Sequence, residues 1–150
     1  MRIFIPGKAK GKGRPRFYNG HAVTPQDTRD YETLIAMTWK AYKGAFYEDS
    51  PLKVNITVNV LVPISRKKKE RLDIARGKLK PTMKPDVDNI AKIVLDGLNG
   101  VAYKDDKQVT ELRVRKQYTF SASREGVLIE VKEDKYGSYA SSRRVDSKKE

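Results

Sequence analysis

The chain has 150 residues, a length suited to one domain, and sets 32 Lys and Arg against 19 Asp and Glu for a net charge of +13. That excess argues against an acidic-ligand scavenger and favours a polyanionic partner, nucleic acid first and an anionic membrane surface second. Cysteine is absent, which excludes disulfides, thiol catalysis and cysteine-ligated zinc, and no apolar run approaches the roughly 18 residues of a membrane span.

In chain order, Arg2–Ile5 reads as a short strand ended by Pro6-Gly7, too short an apolar run for a signal peptide, so a soluble cytoplasmic protein is expected. Lys8–Arg16 (KAKGKGRPR) has three breakers and no apolar period and reads as a loop. Phe17–Val23 is predicted to form a hairpin about Asn19-Gly20. Thr24-Pro25-Gln26-Asp27 predicts a helix start with Thr24 as N-cap; Tyr31, Leu34, Ile35, Thr38 and Tyr42 recur at helical spacing, and Gly44 is the stop. Leu52–Val62 alternates apolar and mostly polar residues, the period of a strand with one buried face. Ser65 is expected to cap a basic helix running to about Arg76.

A further helix is predicted over Asn89–Leu98, closed by Asn99-Gly100, with a turn at Lys104–Lys107. Strands follow at Gln108–Phe120 and Val127–Lys132, joined by the turn Ser121–Gly126. The elements add up to an α/β protein of the α+β type, a mainly antiparallel mixed sheet packed with two or three helices. Residues 1–132 make the domain; 133–150 form a polar tail expected to be disordered.

The basic excess is concentrated rather than spread. Residues 1–16 carry Arg2, Lys8, Lys10, Lys12, Arg14 and Arg16 with no acid. Residues 66–80 carry Arg66, Lys67, Lys68, Lys69, Arg71, Arg76, Lys78 and Lys80 against only Glu70 and Asp73. Two blocks suit a phosphate-contacting footprint better than a solubilising coat. Lys10, Lys12, Arg14, Arg16 and Lys67–Lys69 are the expected nucleic-acid contacts, with solvated charge runs as the plain alternative. Phe17 and Tyr18 follow the first block and are candidates to stack on bases; Trp39 and Tyr103 read as core. His21, the only histidine, is assigned no catalytic role.

Acids cluster in KPDVDNIAKIVLDGLNGVAYKDDKQV, residues 84–109. Asp86 and Asp88 follow Pro85, and an extended approach would turn both carboxylates the same way. Asp105-Asp106 lies in a later turn that can fold back toward them. Several carboxylates in one place repel unless a cation joins them, and hard Mg²⁺ or Mn²⁺ prefers such oxygens. Phosphodiester hydrolysis gains from such a metal, which activates water and offsets charge on the phosphate. Plainer readings stand beside this one. Asp88, Lys92 and Asp96 at i, i+4 and i+8 would make a salt-bridge ladder, Asp86 or Asp88 a helix cap, and Asp105-Asp106 a turn. The spacing fits neither an EF-hand, because Ile90 and Ala91 occupy ligand and glycine positions, nor a P-loop, because Lys12 replaces its second glycine.

The same segment resembles the signature of the RusA family of Holliday junction resolvases of bacteria and their prophages. It shares D-x-D-N, a lysine four residues after the second Asp, a further Asp, and D-D-x-Q-V after a helix and turn. KGKGRPRF and TPQDTRDYE upstream are also similar, so the likeness spans roughly residues 1–132. The resemblance implies Asp86, Asp88 and Asp106 as metal-binding carboxylates and Lys92 as the essential lysine. Asp105, Asn89 and Asp96 are implied as supporting positions. It further implies a homodimer that cuts four-way DNA junctions with Mg²⁺ or Mn²⁺, since two symmetric nicks need two active sites.

Overall fold

The computed structural model describes residues 1–135. Strand β1 (Arg2–Pro6) is followed by a small hairpin, β2 (Arg16–Tyr18) and β3 (His21–Val23), then helix α1 (Gln26–Ala41) and strand β4 (Leu52–Leu61). Helices α2 (Lys68–Ala75) and α3 (Val87–Leu98) come next, then β5 (Val109–Thr119) and β6 (Gly126–Glu133). One sheet has the order β1-β6-β4-β5, and the hairpin forms a second sheet of its own. The β1–β6 and β6–β4 pairings are antiparallel and β4–β5 is parallel, so the sheet is mixed and mainly antiparallel as expected. The parallel pair needs a long crossover, and residues 62–108 supply it, carrying α2 and α3.

The period-two alternation of β4 buries Leu52, Val54, Ile56 and Val58 on one face. Ile3 and Ile5 of β1 and Val127, Ile129 and Val131 of β6 join them. Ile35 and Trp39 of α1 and Ile90, Ile93, Val94 and Leu98 of α3 complete the core. Only α1 and α3 contribute extensively to that cover. The short α2 is anchored by Ile74 and by its lead-in, where Arg66 donates to the Tyr118 hydroxyl at 3.0 Å and Arg71 reaches the carbonyls of Arg66 and Pro63.

Several sequence expectations shift by a residue or a face. Pro25, not Thr24, sits at the N-cap of α1. Ser65 does not cap α2: the helix starts at Lys68, and the Glu70 carboxylate accepts the Lys67 N–H at 3.1 Å. The inner face of α1 runs through Thr28, Ile35 and Trp39, while Leu34 and Tyr42 face outward. The helix ends at Ala41 before Gly44, which is glycine for another reason: a Cβ there would lie 2.2 Å from the buried Trp39 ring. The hairpin turn forms as predicted, with Asn19 at φ 48° and Gly20 at φ 78°. At the other end the fold runs past residue 132, because the Asp134 N–H donates to Pro51 O at 2.7 Å. Residues 136–150, most of the expected tail, lie outside the described residues.

Where α1 crosses α3, Gly97 is buried and a Cβ would stand 2.9 Å from Ile35 Cβ. Gly97→Ala therefore sets a helix-propensity gain of about 1 kcal/mol against an overpacking cost of about 1–3 kcal/mol. The expected outcome is a lower unfolding temperature by calorimetry; an increase would show that the helices can part without loss.

Candidate active site

Helix α3 buries Ile90, Ile93, Val94 and Leu98, so its opposite face turns Asp88, Lys92 and Asp96 to solvent. Asp86 takes the N-cap position with extended backbone and the helix begins at Val87, so Asp86 and Asp88 do not lie along one extended strand. The premise of alternating side chains fails there, because helical hydrogen bonding starts at once with Ile90 N–H to Asp86 O at 3.0 Å. Asp86 nonetheless makes no side-chain capping bond, and both carboxylates are exposed. Their charges sit at the positive end of the helix dipole, which favours them.

The second acidic group gathers around Tyr103. This buried tyrosine donates its hydroxyl to Leu95 O at 2.6 Å. Burial, then the fields of Asp106, Asp96 and Asp105, push the phenol far above its ordinary range. Asp105 caps the 3₁₀ turn Asp106–Gln108 by accepting the Lys107 N–H at 2.9 Å, and that bond holds its carboxyl below the usual range. Asp106 is pushed up, by burial first and then by its hydrogen bond to Asp105 and the charges of Asp105 and Asp96. Gln108 fixes the turn: its Oε1 accepts from the N–H groups of Lys104 and Asp105, and its Nε2 donates to Tyr47 O and Ser50 O. Gln108 stands in the sequence pattern, but its role depends on a partner segment some 60 residues away.

Asp88 and Asp96 are separated by eight helical residues, about 12 Å along the axis. Among the described residues no group of three or more His, Asp or Glu side chains is arranged to hold a metal ion. The expected gathering of Asp86, Asp88 and Asp106 into one pocket is thus not in place in a single chain. The donors still suit a hard divalent cation: all are carboxylate oxygens, and the Asp86 carboxylate is free of the cap it was positioned to make.

The glycine-rich basic loop lies against the start of α3. Lys12 N–H donates to Asn89 O at 2.9 Å, and a Cβ on Gly11 would meet Pro85 Cβ at 2.9 Å and Asn89 Cβ at 3.0 Å. Gly13 N–H donates to Thr28 Oγ1 at 3.1 Å, where a Cβ on Gly13 would lie 2.7 Å away. The two glycines let the backbone approach both helices, which is the sequence signal for this docking. Between them, the Lys12 ammonium pairs with Glu32 and, at 2.8 Å, with Asp96. Lys12 therefore serves as a clamp between loop, α1 and α3 rather than as a free cation. The i, i+4, i+8 ladder also dissolves, because Asp96 pairs with Lys12 and Lys92 has no ion-pair partner among the described residues.

The remaining predicted contacts are accessible. Lys10 holds Asp27 at 3.0 Å across an open surface, a weak pair. Arg14 and Arg16 are exposed and outside any ion pair among the described residues, as are Lys67, Lys68 and Lys69. Phe17 and Tyr18 are exposed, whereas Trp39 and Tyr103 belong to the core.

These placements predict opposite phenotypes for neighbouring cations. Lys12→Gln is expected to lower stability by about 1 kcal/mol and leave the salt slope of DNA binding unchanged. Arg14→Gln is expected to reduce that slope by about one and leave stability unchanged; calorimetry and salt titrations read both. For Asp106, a raised carboxyl means that stability falls as pH climbs from the ordinary carboxylate value through the raised one. Asp106→Asn should therefore raise the unfolding temperature slightly at pH 7, and the advantage should vanish below pH 4. A gain that persists in acid would mean that charge is not its source.

The sequence model of the family described as Endodeoxyribonuclease RusA matches residues 6–132. The chain is also 33% identical over 125 residues to the uncharacterized protein YqaN of Bacillus subtilis (strain 168), covering 79% of this chain and 88% of that protein. Nucleases of this family generally depend on a divalent metal. With its D-x-D-N helix start, its D-D-x-Q turn and a match that takes in every helix and the strands β2 to β5, the chain belongs to the RusA family of endodeoxyribonucleases.

Proposed function

We propose that the protein resolves four-way DNA junctions by paired symmetric nicks, using Mg²⁺ or Mn²⁺, and serves recombination and repair in the bacterial cytoplasm or on behalf of a prophage. The observation that carries this reading is the docking of the acid-free loop 7–16 on the first turn of α3, where Lys12 N–H meets Asn89 O at 2.9 Å. That contact supports the reading, because it ties the loop carrying Arg14 and Arg16 to the helix start carrying Asp86 and Asp88.

Asp86, Asp88 and Asp106 would hold the cation, which supplies an activated water and offsets charge on the phosphate. Lys92, exposed one turn beyond Asp88, orients a water or neutralises a phosphate oxygen. Asp105 and Gln108 hold the turn that carries Asp106, while Asn89 and Asp96 anchor the loop. Lys10, Arg14, Arg16 and Lys67–Lys69 bind the backbone. A homodimer supplies the two sites that paired nicks require.

A second reading, a nucleic-acid-binding protein without hydrolysis, draws support from the separation of the acids into two groups. It predicts salt-sensitive binding and no metal-dependent product. A nuclease acting on another branched DNA is the remaining alternative.

Incubation with an end-labelled four-way junction, with and without Mg²⁺ and beside linear duplex, separates these readings. Cutting of the junction alone, only with metal, is expected. Asp88→Asn is expected to lose at least a hundredfold of the rate and still bind the junction. An uncut junction, or full activity in Asp88→Asn, rejects the proposal.

A further inference from the structure

We propose that the β2–β3 hairpin selects branched over linear DNA, with Phe17 and Tyr18 stacking on base faces exposed where duplex arms meet. The inference rests on the nuclease reading above and names the feature of the substrate that this protein recognises.

All six hairpin residues are exposed. Phe17 is 81% and Tyr18 72% accessible, values far from those of aromatic side chains that stabilise a core. The register pairs Arg16 with Val23, Phe17 with Ala22 and Tyr18 with His21. One face of the ribbon is therefore apolar, with Phe17 and Ala22, and the other mixes Tyr18 and Val23 with Arg16 and His21. A two-stranded ribbon with neither face covered is marginal alone, and large exposed aromatics point to a partner.

Charge identifies the partner. From Met1 to Gln26 the chain has no acidic residue, and Lys8, Lys10, Arg14 and Arg16 lead into the ribbon. A second copy of the ribbon would bring like charges together, whereas DNA brings opposite ones. The ribbon is also held at the right place. Lys12 is bonded to Asn89 on the first turn of α3, and Arg16, which opens β2, lies at most about 14 Å of chain further on. The turn is of the tight two-residue type, with Asn19 and Gly20 both at positive φ. A linear duplex stacks every base and hides its faces; a branch ends stacks and exposes them. Phenylalanine offers only a ring face, so this recognition is sequence-tolerant and structure-selective.

The test uses the full chain carrying Asp88→Asn, to prevent cutting, and a four-way junction with 2-aminopurine beside the branch, with a matching linear duplex. Phe17→Ala is expected to weaken junction binding about tenfold or more, abolish the 2-aminopurine fluorescence change, and leave linear-duplex affinity untouched. Phe17→Trp is expected to restore both. Since Phe17 is exposed, the unfolding temperature should not move. Unchanged junction binding by Phe17→Ala overturns the inference, as does an equal loss on linear duplex. Conversion to a smaller species in sedimentation would assign the hairpin to a subunit interface instead and also overturn it. The unsubstituted protein, assayed for cutting on the same junction, keeps the two ideas apart. Cutting combined with Phe17-independent binding rejects the stacking role alone. Phe17-dependent binding without cutting rejects the nuclease reading and leaves the stacking role standing.

Discussion

Helix α3 has to bury one side and therefore shows the other. Ile90, Ile93, Val94 and Leu98 pack into the core shared with α1 and the sheet. At 3.6 residues per turn, that requirement brings Asp88, Lys92 and Asp96 into one row on the solvent side. The same packing directs the helix N-terminus, and Asp86 with it, out to solvent. The orientation of the candidate site is thus a consequence of hydrophobic burial rather than of any attraction among its polar groups. Gly97 permits the close crossing with α1, and through it the position of Glu32 relative to Asp96.

The clamp at Lys12 shows how charge is used differently within one basic segment. Its ammonium is half-buried between two carboxylates and serves cohesion. Arg14 and Arg16, a few residues on, leave the protein surface and carry no such obligation. Elsewhere ion pairs such as Arg2–Glu130 and Lys53–Glu111 join neighbouring strands of the sheet. The acids follow a similar division. Asp105 is satisfied by its turn, whereas Asp106 meets burial and like charge and has no ion-pair partner among the described residues.

Much of this architecture follows from local rules. The alternation of Leu52–Val62 fixes a half-buried strand, Asn19-Gly20 fixes a type I′ hairpin, and Asn99-Gly100 ends α3. Helix starts were less legible: Thr24 and Ser65 are good caps by residue type, yet the helices begin at Gln26 and Lys68. Cap preference amounts to about 1 kcal/mol, and tertiary packing can exceed it. The inner face of α1 is not legible from residue type, because the outward-facing Leu34 and Tyr42 share the apolar character of residues that face inward.

Local chemistry thus decided which residues carry charge, where the acids are concentrated and that a basic loop precedes them, since these are properties of residue type and spacing. The tertiary structure alone decided which of them meet. It joined Lys12 to Glu32 and Asp96, tied Gln108 to the carbonyls of Tyr47 and Ser50, and set Asp96, two helical turns from Asp88, within the field of Asp106. Contacts across 20 to 84 residues depend on how two helices pack on a sheet, and no periodicity within a segment encodes that distance.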